Sequence, residues 1–167
     1  MLKMMFDTVL TVVSILCTIV SSIGAYKSIK YYKKNKQLTT YAHKNVAYSE
    51  IKKVIDTMTE ILKQAGPQQG RGVNREKEVS RLGINIKMSL DRIREQLSNE
   101  NCDAILNILN SNKVRDYIES LITSPVLPNA TVDTEAWKRF RDCETAFYSV
   151  QNGIKKKLDE SEEKLSA

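Results

Sequence analysis

Two hydrophobic rhythms divide this chain. Residues 8–25, TVLTVVSILCTIVSSIGA, hold no charged side chain. Wound as a helix, that run covers roughly 27 Å, close to the hydrocarbon thickness of a bilayer. Its β-branched residues (Val9, Val12, Val13, Ile15, Ile19, Val20, Ile23) suit a lipid-facing helix. Beyond residue 36 the apolar positions fall instead at helical spacing within charged sequence, the pattern of amphipathic helices packed on one another.

Neither Gly nor Pro occurs between Ala25 and Ala65, so no strong breaker stops the first helix there; Asn35 and Thr39-Thr40 are its weak points. Tyr41, Tyr48, Ile51, Ile55, Met58, Leu62 and Ala65 make a heptad seam, flanked by Val54 and Ile61. Gly66-Pro67 ends that helix, and GPQQGRG to residue 72 reads as a flexible loop. A second long helix is expected over 74–98, burying Val79, Leu82, Ile86, Leu90, Ile93 and Leu97. Short helices are expected near 101–110 and 112–123, separated by Asn-rich turns. Pro125 and Pro128 make 124–134 an irregular linker. Asp133 or Thr134 caps a last helix lined by Trp137, Phe140, Phe147, Val150, Ile154 and Leu158. No stretch outside the apolar segment alternates with period two, so strands are not expected.

The fold class is therefore all-α: a single N-terminal transmembrane helix followed by a cytosolic antiparallel helical bundle. Its expected divisions are a transmembrane helix with a short outer N-terminus (1–26), a basic juxtamembrane stretch (27–40), the bundle (41–158) and a flexible tail (159–167).

Charge sharpens the orientation. The 167 residues carry +6, of which +5 lies in residues 1–36 and only +1 in the rest. The soluble part thus lacks the basic surface that nucleic-acid binding needs, and nucleic acid is not an expected partner. Lys27, Lys30, Lys33, Lys34 and Lys36 follow the apolar run, interleaved with Tyr26, Tyr31 and Tyr32. Rings at the headgroups and a lysine cluster behind them mark the cytoplasmic boundary of a membrane, with these lysines touching anionic lipids. Only Lys3, Asp7 and the α-amino group carry charge before the run, which directs the N-terminus outward. A cleaved signal peptide is the rival, with Ile23-Gly24-Ala25 as its site, but five lysines just after it resist translocation. In the cytosol Cys102 and Cys143 read as reduced core residues, and the Asn129-Ala130-Thr131 sequon is silent.

Catalytic and cofactor patterns are missing: one His, no C-x-x-C, no G-x-S-x-G, HExxH or Walker A. No catalytic residue, metal site or cofactor is expected, and the chain does not read as an enzyme. Arg71 and Arg75, beside the glycine-rich loop, are the candidates for holding an anion or small signalling ligand, against the plainer reading of a linker.

The most ordered feature is a stripe. At about 100° per residue, Thr8, Thr11, Ser14, Thr18, Ser21 and Ser22 share an arc of about 140°, and Asp7 lies on it. A lone anchor has no use for such an arrangement. Two readings follow, packing of helix on helix through small and hydroxyl residues, or a pore with the hydroxyls inward and a ring of Asp7 carboxylates at the outer mouth. The expected function is a self-associating membrane effector or ion-conducting pore gated by its bundle, a plan found by architectural analogy among small bacterial anti-phage proteins. The alternative is a membrane-tethered scaffold that docks a cytosolic protein.

Overall fold

The computed structural model describes residues 2–64, 73–123 and 134–166, with side chains from residue 10 in the first helix, 75 in the second and 135 in the last. All of the described structure outside the turns is helical. The elements are α1 (Leu2–Gln64), α2 (Val73–Leu97), α3 (Asp103–Leu109), α4 (Asn112–Thr123) and α5 (Thr134–Ser166). The loop expected at 66–72 and the linker at 124–133 lie outside the described residues. The chain forms two compact units, 1–39 and 40–167.

The first unit holds only the part of α1 up to Thr39, and each side chain from Leu10 to Thr39 is exposed. The second unit holds the core. Ile51, Met58 and Ile61 of α1, Leu82, Ile86 and Ile93 of α2, Leu109 and Leu121, and Phe140, Phe147 and Ile154 of α5 are all but inaccessible. Cys102 and Cys143 belong to the same core as free thiols, as their reading from the sequence had it.

Specific contacts order the helices. Ser89 of α2 donates 2.8 Å to Glu50 of α1, and just past the end of α2 Glu100 meets His43 of α1 at 3.4 Å. Ser80 donates 2.9 Å to the Ile122 carbonyl of α4, while Arg94, further along α2, reaches Asn110 at 2.9 Å. Tyr117 packs edge-on against Phe140, with ring centroids 6.3 Å apart. Ile105 lies against Gly153. Increasing number on one helix thus meets decreasing number on its neighbour in each of these three pairings.

The break between α3 and α4 has a local cause. Asn110 closes α3 by donating its backbone N–H to Leu106, and Ser111 donates its hydroxyl to the Ile108 carbonyl. Arg94 takes up the Leu109 carbonyl at 2.9 Å, one of the acceptors a helix end leaves without a partner. Between α2 and α3 the chain turns through Asn101, whose φ of 52° suits asparagine better than most residues.

Two expectations need correction. The α1 seam is centred on Ala47, Ile51, Val54, Met58 and Ile61, with Tyr41, Tyr48 and Leu62 half-buried beside it. Ile51, Val54, Ile55, Met58 and Ile61 lie on the face expected, and the change is that Ala47 joins them while the tyrosines sit at its edge. The second concerns 159–167, read as a flexible tail from its charge. There α5 stays helical to Ser166, and Ser161 is buried against Lys44.

Candidate functional site

The apolar run of α1 is where structure and sequence converge. Leu10, Val12, Val13, Ile15, Leu16, Ile19, Val20 and Ile23 are each at least half exposed. A core helix of a soluble protein buries such residues, and this one buries none over its apolar window. Among the described residues one helix is long and apolar enough to cross a membrane. Uncovered apolar surface over most of a helix calls for lipid or other helices around it.

The hydroxyls of the stripe begin from this helix. Thr18 donates its hydroxyl to the Ser14 carbonyl at 2.9 Å, and Ser22 to the Thr18 carbonyl at 2.8 Å. Each keeps its oxygen lone pairs for a further donor, while its own proton is used within α1. Thr11, Ser14 and Ser21 are exposed on the same helix. Asp7 and Thr8 belong to α1, but their side chains lie outside the described residues.

Beyond Gly24 the helix turns basic. Lys27, Lys30, Lys33, Lys34 and Lys36 are exposed, as are Tyr26, Tyr31 and Tyr32. A groove on this surface is lined by Lys27, Lys30 and Lys34 together with Tyr26, Tyr31, Ser22 and Ile23. The five lysines are therefore not equivalent.

The second anion candidate divides. Arg71 lies outside the described residues, whereas Arg75 is half-buried near the start of α2 with its Nε buried and without a hydrogen-bond partner. Other arginines of α2 are taken up by protein groups: Arg81 pairs with Glu78, Arg92 lies 3.6 Å from Glu50, and Arg94 holds Asp91 and the α3 end.

Two polar clusters inside the second unit were not foreseen. Glu50, with its side chain 7% exposed, accepts from Lys53 at 2.6 Å and from Ser89 at 2.8 Å. The Lys53 hydrogen bond holds its carboxyl below the ordinary carboxylate value, against the opposing push of burial, with Ser89 and Arg92 assisting. Lys44 is buried and donates 2.8 Å to Ser161. The sequence signal was present in the spacing, since Lys44 precedes Ala47 and Ile51 on the buried face. Burial also raises the Cys102 thiol and pushes the Cys143 thiol up to about 12, which makes both poor nucleophiles.

A cleft between α4 and α5 carries Lys113, Lys138 and Arg139 opposite Asp116, Glu135 and Asp142. Its charges cancel, and Arg139 is paired with Glu135 at 2.6 Å. Among the described residues no group of three His, Cys, Asp or Glu is placed to hold a metal ion. Compared with known protein families, curated proteins and solved structures, the chain matches none.

Proposed function

We propose that this chain is a single-pass membrane protein whose apolar helix associates with its own copies and whose helical unit in the cytosol governs that assembly as a membrane effector or ion-conducting pore. The observation that carries the reading is the exposure of the whole apolar run from Leu10 to Ile23. Five lysines after the run against one before it direct the helical unit inward. The contacts between successive helices fit an antiparallel bundle in which α3 and α4 make one interrupted leg.

Copies that turn the hydroxyl face inward gather charge at both ends. Asp7 sits on the stripe face at the outer end, and Lys36 falls within about 10° of the stripe's centre at the inner end. Symmetry converts each into a ring, one negative and one positive. Asp7→Asn and Lys36→Gln therefore shift ion selectivity in opposite directions.

The tether reading draws on a different observation, the donation of the Thr18 and Ser22 hydroxyls within their own helix. A stripe satisfied in this way tolerates lipid without a partner. Purified protein in liposomes separates the two readings. Replacing Ser14, Thr18 and Ser22 together by Leu abolishes assembly and ion flux if the stripe is an interface. Parent-like assembly and no flux from either protein leave the tether.

A further inference from the structure

The lysines behind the membrane helix divide by face. At about 100° per residue, Lys27, Lys30 and Lys34 fall within about 60° of one another, whereas Lys33 and Lys36 point about 100° and 160° away from Lys34. The first three line one groove with Tyr26 and Tyr31, and Ile23 closes its apolar end. All of these side chains are exposed. The centre of the trio lies about 140° around the helix from the centre of the hydroxyl stripe.

We infer that this groove is a binding site for the phosphate of an anionic phospholipid, held by Lys27, Lys30 and Lys34. The inference rests on the reading of α1 as a membrane span. Three ammonium groups one helical turn apart converge on a single phosphate from one side. Tyr26 and Tyr31 flank it with rings that favour the headgroup level. Ile23, one turn deeper, meets the first methylenes of an acyl chain. Soluble phosphate has no use for an apolar end, so the lipid is the better occupant. A helix whose hydroxyl face meets other copies turns the lysine trio to the surrounding lipid, with Ser22 at the border between groove and stripe. Lys33 contributes only diffuse charge, and Lys36, on the stripe face, turns away from the groove.

The test compares two variants that lose the same charge. The full chain, Lys27→Gln/Lys34→Gln and Lys33→Gln/Lys36→Gln are reconstituted in phosphatidylcholine vesicles with trace spin-labelled phosphatidate or phosphatidylcholine. The motionally restricted fraction gives the relative association of each lipid. The parent prefers phosphatidate, the 27/34 pair loses that preference by a factor of roughly three or more, and the 33/36 pair keeps most of it. Equal loss in both pairs, or no preference in the parent, overturns the site. Loss of preference on adding inorganic phosphate, but not chloride of equal ionic strength, assigns the groove to a soluble anion and overturns the lipid. Protein extracted by alkaline carbonate, with no restricted lipid of either kind, fails instead as a membrane span.

Discussion

Lys44 and Ser161 lie 117 positions apart, yet the Lys44 ammonium donates a 2.8 Å hydrogen bond to the Ser161 hydroxyl in a buried contact between α1 and α5. Ser161 passes its own proton to the Lys157 carbonyl at 2.7 Å. Among the described residues no carboxylate pairs with Lys44 within 4.0 Å, so the serine oxygen is the acceptor that makes its burial tolerable.

The two partners are expected to respond differently to removal. Ser161→Ala leaves a buried ammonium without its acceptor and costs about 1–3 kcal/mol. Lys44→Met removes the charge and keeps most of the stem, so its cost is smaller. Unfolding of the full chain in detergent micelles, followed by circular dichroism, measures both. Equal losses would mean that the contact is packing and not a charged hydrogen bond.

Glu50 is expected to stabilise the helical unit only above acid pH. Its folded carboxyl titrates below the ordinary value of 4.5, because Lys53, Ser89 and Arg92 favour the charged form. The unfolded chain then takes up its proton first as pH falls, and the advantage is lost between the ordinary value and the lower folded one. Glu50→Gln should therefore destabilise at pH 7, with the gap to the parent closing as pH falls from 4.5 through the lower folded value. A gap independent of pH would assign the effect to shape alone.

Gly83 and Gly153 make a paired test of close approach. A Cβ at Gly83 would stand 3.1 Å from the Leu121 Cβ and from the Ile122 Cγ1, next to the α4 backbone. At Gly153 it would meet only the outer atoms of Ile105, at 3.1 and 3.3 Å. Alanine favours a helix over glycine by about 1 kcal/mol, and the tip of Ile105 can rotate aside. Gly153→Ala is expected to raise the melting temperature, and Gly83→Ala to lower it, by about 1–3 kcal/mol of stability. The reverse order would place α2 and α4 further apart than described.

Orientation is open to direct labelling. Ser166 is exposed at the end of α5, so a cysteine there reports its compartment. With Cys17, Cys102 and Cys143 replaced, Ser166→Cys in intact cells should react only with a reagent that crosses membranes. Reaction with an impermeant maleimide would reverse the orientation and remove the reason to read the native thiols as reduced.

Helix identity and the membrane-length segment were already legible in the amino-acid sequence. Both depend on local quantities: the period of apolar positions, the proline and glycine breaks, and an uncharged run followed by tyrosine and lysine. The expected spans of α2 and α4 accordingly agree with the observed Val73–Leu97 and Asn112–Thr123 to within a residue or so. The face of α1 that meets its neighbours was legible through Ile51, Val54, Ile55, Met58 and Ile61, but tertiary structure alone decided that Ala47, Lys44 and Glu50 join it. Burial at Ala47, Lys44 and Glu50 depends on what distant helices supply, and Ser161 and Ser89 are such suppliers. The same holds for residues 159–166, whose local charge predicts solvent. An acceptor-seeking lysine 117 positions away instead draws Ser161 into the interior. A charged side chain announces its need for a partner in the sequence, but folding chooses the partner, because contact follows distance in space and not along the chain.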